Sequence, residues 1–121
     1  MLETTLKREK ETARTVRFAE DAGARGEPEA IGTLYIQKWA WTQLGQPGTL
    51  RVTLSAEAPA ADAAPIVLTF AAEKETRNTR RFIETSAAEG RPEVVGTLYV
   101  QKWALTRLGT ADRLYMTLAA P

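Results

Sequence analysis

Arginine, carboxylate and tryptophan are the residues that could do chemistry here, because neither cysteine nor histidine occurs among the 121 residues. That double absence excludes disulfides, thiolate nucleophiles, Cys/His zinc sites, Ser-His-Asp triads and imidazole acid/base work. Ser55 and Ser86 have no basic partner at motif spacing. Glu20, Asp21, Glu27 and Glu29 read as loop acids without an apolar setting to raise a pKa. Gly23-Ala24-Arg25-Gly26 lacks both the spacing of a phosphate-cradling loop and a helix to follow it. The expectation is therefore a protein that is no enzyme and needs no metal or cofactor.

The arginines are better placed for binding. Arg14 and Arg17 lie in one stretch and Arg77, Arg80 and Arg81 in another, with Asn78 and Thr79 between them. Guanidinium forks suit phosphate oxygens and guanine edges, and Asn and Thr add neutral donors. The competing reading is a solvated strand face whose arginines pair with Glu9, Glu11, Glu73, Glu75 and Glu84. Net charge is only +1, too small to announce a polyanionic partner by itself. Trp39 and Trp103 are the other candidates: they fall away from the apolar stripe of their helix, so they either cover a barrel end or anchor a protein partner. Trp41 lies on the stripe and reads as core.

Positioning these groups is the task of an internal repeat. Residues 2–56 align with 66–120 at a constant offset and without a gap, and roughly half of the positions are identical. Ile31–Gly45 (IGTLYIQKWAWTQLG) matches Val95–Gly109 (VGTLYVQKWALTRLG), and Glu9–Phe18 matches Glu73–Phe82. Between the units, Glu57–Pro65 is rich in Ala and Pro and reads as a linker. Each unit is near the lower size limit for an independent core, so the pair is expected to form one pseudosymmetric domain over 1–121. No apolar run approaches the ~18 residues of a membrane span, and the opening MLETTLKREKE lacks a signal peptide's apolar stretch. A cytoplasmic protein is expected.

Within a unit, Thr33–Ile36 and Leu50–Leu54 alternate with period two, the signature of half-buried strands. Leu34, Ile36, Leu50, Val52 and Leu54 should point inward, as should Leu98, Val100, Leu114, Met116 and Leu118. Thr12–Ala19 reads as a further strand of ambiguous facing, since Val16 becomes Arg80 in the second copy. Leu2–Leu6 and Ile66–Phe70 add one more. Gln37–Leu44 is a short helix closed by Gly45, and Asp21–Ala30 is a loop.

The run Thr33-Leu34-Tyr35-Ile36-Gln37-Lys38, continuing to Leu44-Gly45 and then Pro47-Gly48-Thr49-Leu50-Arg51-Val52, resembles the AbrB/SpoVT-type swapped-hairpin domain. Thr15–Glu20 looks like that family's basic first strand, while Gln37 and Gln101 stand where the family usually has proline. The resemblance implies a closed, interleaved barrel in which hairpins of the two halves pair with each other. It also implies DNA contacts from arginines in this region, here Arg14, Arg17, Arg77, Arg80 and Arg81, and Asn78 joins them on its chemistry.

The expected architecture is mainly β with two short helices (α+β): tandem ββαβ units in one pseudo-two-fold closed barrel of six to eight strands, of the swapped-hairpin or the cradle-loop type. The expected function is a transcription-regulator-like protein contacting double-stranded DNA through its arginine-bearing strands. The alternative is a protein-interaction or assembly module using Trp39, Trp103 and the barrel rim. Either a monomeric pseudo-dimer or a homodimer fits. An antitoxin role fits less well, because the last strand runs to the end of the chain at Pro121.

Overall fold

Period-two alternation becomes strand almost throughout the computed structural model, which describes residues 2–20, 28–60, 62 and 64–121, without the side chain of Ala87. Repeat one supplies β1 (Leu2–Glu11), β2 (Thr15–Glu20), β3 (Thr33–Gln37), α1 (Lys38–Gln43) and β4 (Thr49–Ser55). Repeat two supplies β5 (Ile66–Glu75), β6 (Thr79–Glu84), a 3-10 turn (Ala87–Glu89), β7 (Thr97–Gln101), α2 (Lys102–Arg107) and β8 (Arg113–Ala119). The expected loop at Asp21–Ala30 lies outside the described residues as far as Glu27, and with it Asp21, Glu27 and Gly23-Ala24-Arg25-Gly26.

The strands form one antiparallel sheet in the order β3-β2-β1-β4-β8-β5-β6-β7, nearly closed into a barrel. Repeat one keeps the order β4-β1-β2-β3 and repeat two β8-β5-β6-β7, and among the described residues the only ladder between repeats is β4 with β8. The exchange of hairpins that the resemblance implies is thus absent from the strand pairing: the halves join edge to edge. The physical reason is local. Three residues connect β1 to β2 and β5 to β6, and each of these hairpins is flanked on both sides by strands of its own repeat, β4 and β3 or β8 and β7, the partners nearest in sequence that compact folds favour.

Every residue assigned inward from the alternation of β3, β4, β7 and β8 is buried, from Leu34 to Leu118. Phe18, Phe70 and Phe82 fill the remaining volume and are fully covered. Burying one such ring contributes about 1.5–3 kcal/mol. Trp41 joins this core, its indole N–H donating to the Pro47 carbonyl at 2.9 Å. The copies reach the same packing with different residues, since Leu105 is buried where Trp41 stands.

The remaining edges, β3 and β7, close on each other at two points. Gln37 N–H donates to the Val94 carbonyl at 2.9 Å, and Gln101 N–H to the Ala30 carbonyl at 2.8 Å. Both bonds need a main-chain donor that proline lacks. These two bonds limit the exposed edge that an open sheet would offer for aggregation.

Candidate functional site

Both hairpin turns are built by a Thr-x-x-Thr sequence. Thr12 Oγ1 accepts from Thr15 N–H at 3.1 Å, and Thr76 Oγ1 accepts from Thr79 N–H at 3.1 Å. The turn carbonyls of Arg14 and Asn78 then accept the first N–H of each helix, from Lys38 at 2.8 Å and Lys102 at 2.9 Å. Neither helix has a side-chain cap, so the hairpin end itself satisfies an orphan donor. Each hairpin end is locked against a helix start that carries a lysine.

A bulge in each hairpin sets the fate of the strand arginines. The ladder shifts between Arg8 and Lys10, and again between Ala72 and Lys74, which leaves Glu9 and Glu73 as the extra residues. Arg17 Nε lies 2.7 Å from Glu9 Oε1, and Arg81 Nε lies 2.8 Å from Glu73 Oε1. These contacts are ionic rather than hydrogen-bonded, since neither Nε–H finds an acceptor in hydrogen-bonding geometry. Arg80 is the most enclosed of the set: it pairs with Asp112 at 2.5 Å, reaches the Ala111 carbonyl at 3.3 Å and lies over the Phe82 ring. Glu75 stands 4.0 Å from it.

Arg14, Arg77 and Asn78 sit at the exposed tips. Among the described residues, Lys10, Arg14, Lys74 and Arg77 have no ion-pair partner. From Lys7 to Arg17 the first hairpin carries five cations against two carboxylates, a net +3; from Glu73 to Arg81 the second carries four against two, a net +2. The tips lie at opposite ends of the barrel. One abuts the start of β4 (Lys7 opposite Thr49) and the other the start of β8 (Ala71 opposite Arg113), and β4 and β8 are antiparallel.

Sequence reasoning missed the two most enclosed carboxylates. Glu20 was expected in a loop and Glu84 as an arginine partner; both end a strand and point inward, 7% and 2% exposed. Glu20 accepts from the N–H groups of Ala30, Ile31 and Gly32 at 2.8–3.1 Å and from the Thr4 hydroxyl at 2.9 Å. Burial alone would raise its pKa, but the Ile31, Gly32 and Ala30 N–H groups and Thr4 together outweigh it and hold the carboxyl below its usual value. Glu84 repeats the arrangement with Val94, Val95 and Gly96, and Ser86 supplies the hydroxyl. Gly32 and Gly96 take positive φ, 72° and 84°, which lets three successive N–H groups converge on one carboxylate. A signal was present: both copies keep Glu at the end of this strand and Gly twelve residues later. These acids organise the loops that close the barrel.

The helix tryptophans differ. The Trp103 indole N–H donates to the Glu29 carbonyl of the first repeat at 3.0 Å, and the Arg107 guanidinium lies 4.9 Å from its ring centre. Trp39 is 41% exposed, and among the described residues its indole N–H has no partner. Its ring borders a groove of about 330 Å3. Tyr35 and Tyr99 are also exposed, with the Arg17 guanidinium near the Tyr35 ring.

Among the described residues no acidic cluster could hold a metal ion, and no helix is long and apolar enough to cross a membrane. Compared with known proteins, the chain matches no protein-family profile and none of the curated sequences.

Proposed function

We propose that this protein is a non-enzymatic, regulator-like DNA-binding barrel that meets the duplex with its hairpin ends. The carrying observation is the pair of exposed basic hairpin tips, related by the pseudo-two-fold, with Arg14 and Arg77 exposed and unpaired among the described residues. Lys10, Lys74 and Asn78 stand beside them. Arg17, Arg80 and Arg81 have carboxylate partners, so in this reading they orient the hairpins and contribute less to phosphate contact. The family resemblance supports the same region as the contact surface. The pseudo-two-fold suits a site with two inexact half-sites, because the hairpins differ in charge.

Fluorescence anisotropy on mixed-sequence duplexes across a salt series tests this. Counterion release gives a log-log slope of about −0.9 per phosphate contacted, so four free cations predict a slope between about −3 and −4. Replacing Arg14 and Arg77 together by Ala should flatten it by about 2, with folding intact because both are exposed. Undetectable binding at low salt, or a slope unaffected by the double substitution, would overturn the reading.

A further inference from the structure

Two copies of one sequence motif, Gln-Lys-Trp-Ala, place a tryptophan at the same point of two pseudo-equivalent helices, yet among the described residues only the Trp103 indole N–H finds an acceptor. Trp103 reaches across the repeat boundary and takes the main-chain carbonyl of Glu29, in the segment Pro28-Glu29-Ala30. The equivalent segment for Trp39 is Pro92-Glu93-Val94, and among the described residues no carbonyl reaches the Trp39 indole N–H. Trp39, Pro92 and Val94 line the groove together with Ile66, Leu68 and Arg91. The sequence accounts for the opening in part. Arg107 covers the Trp103 ring, whereas Gln43 occupies that position beside Trp39 and has no guanidinium to stack.

We propose that the Trp39 groove docks an extended segment of a partner protein that carries an acidic side chain. The occupied twin shows the form of the occupant: a peptide carbonyl facing the indole N–H, next to a small apolar residue. The walls supply the rest. Trp39, Ile66, Leu68, Pro92 and Val94 offer apolar surface, and among the described residues Arg91 is the one charged side chain on the lining. Arg91 rests against Glu89 in an exposed pair, and such pairs hold little free energy. A carboxylate on the incoming segment can therefore take over the guanidinium. Apolar lining with a few convergent polar groups is the usual composition of a recognition site. The proposal is independent of DNA binding, since no hairpin arginine lines the groove.

The experiment uses the full chain, 15N-labelled, titrated with the capped peptide acetyl-Pro-Glu-Ala-Ile-Gly-amide. This is the sequence of residues 28–32, whose carbonyl the twin indole already holds. The three tryptophans give separate indole N–H signals, assigned from single Trp→Phe variants. Saturable movement of the Trp39 signal in the millimolar range is expected, with Trp41 and Trp103 unmoved. Trp39→Ala should weaken binding at least ~10-fold, as loss of an aromatic anchor does. Arg91→Ala, or a peptide with Gln for Glu, should weaken it roughly fivefold, and the two changes together should cost no more than either alone. A Trp39 signal that stays still, or a Trp103 signal that moves as far, would overturn the proposal. So would benzoate or a DNA duplex shifting Trp39 where the peptide does not, since the groove would then serve a small anion or nucleic acid.

Discussion

Repeat one and repeat two agree in the residues that close the barrel and part company at some core positions, as at Trp41 and Leu105, and at the surface. The buried carboxylate, the positive-φ glycine and the closing glutamine occur in both copies, as Glu20, Gly32 and Gln37 and as Glu84, Gly96 and Gln101. Even the hydroxyl on the carboxylate is retained as a function while its source changes: Thr4 on β1 serves Glu20, and Ser86 after β6 serves Glu84. The divergent positions lie elsewhere. Val16 is buried where Arg80 reaches out to Asp112, and Gln43 leaves bare the ring that Arg107 covers in the other copy. Shared framework carries the fold, and asymmetry supplies whatever one half does that the other does not.

The largest test of that division concerns the framework. Glu20→Ala and Glu84→Ala each leave three buried or half-buried N–H groups without an acceptor, and each should cost about 3 kcal/mol or more. The two losses should be similar, as read from urea midpoints at constant m-value. Strongly unequal losses would break the equivalence of the halves. Acid titration sharpens it. The folded-state pKa of Glu20 is lowered, so its contribution is complete above the unfolded carboxyl value and fades as pH falls through the folded one. Stability should hold from neutral pH down to about 4.5 and decline below it, and Glu20→Gln should lessen the decline. Glu89, held low by Arg91 and Thr85, titrates in the same direction but at the surface, so its part should survive in that variant.

Much of this framework was legible in the sequence, and what was hidden has a common cause. β3, β4, β7 and β8 each have one buried face and one open face, so their alternation alone assigned ten core residues. β1 beyond Leu6 is exposed on both faces, and a strand without an apolar side has no period to read. The hairpin therefore runs five residues further than Leu2–Leu6, and β2 runs Thr15–Glu20 where Thr12–Ala19 was expected. Glu20 and Glu84 were hidden because their partners are main-chain N–H groups, which every residue but proline possesses. Trp39 and Trp103 share a helical position, and their roles are separated by a contact across the repeat boundary and by Gln43 standing where Arg107 stacks in the other copy.

A middle-sized effect concerns closure. Gln37 and Gln101 have φ near −60° and extended ψ before a helix, a conformation proline adopts without strain. Gln37→Pro and Gln101→Pro therefore remove one inter-repeat hydrogen bond each and little else. Each should cost about 1 kcal/mol, less whatever proline returns by restricting the unfolded chain. Gln→Ala, which keeps the donor, should be close to neutral. If both proline variants are neutral too, the edges of β3 and β7 are held by side-chain packing rather than by these bonds.

The smallest difference to be read is the one between the two tryptophans. Trp103→Phe keeps the ring under Arg107 but loses the hydrogen bond to the Glu29 carbonyl, so it should destabilise by about 1 kcal/mol. Trp39→Phe removes a donor with no acceptor among the described residues from a ring already 41% exposed, so its cost should stay within about 0.5 kcal/mol. Thermal melts of the two variants side by side read the difference. Equal losses would mean that the Trp39 indole has a partner in the folded protein. The groove would then be closed by a contact like that of Trp103, and the difference between the two tryptophans would shrink to Gln43 against Arg107.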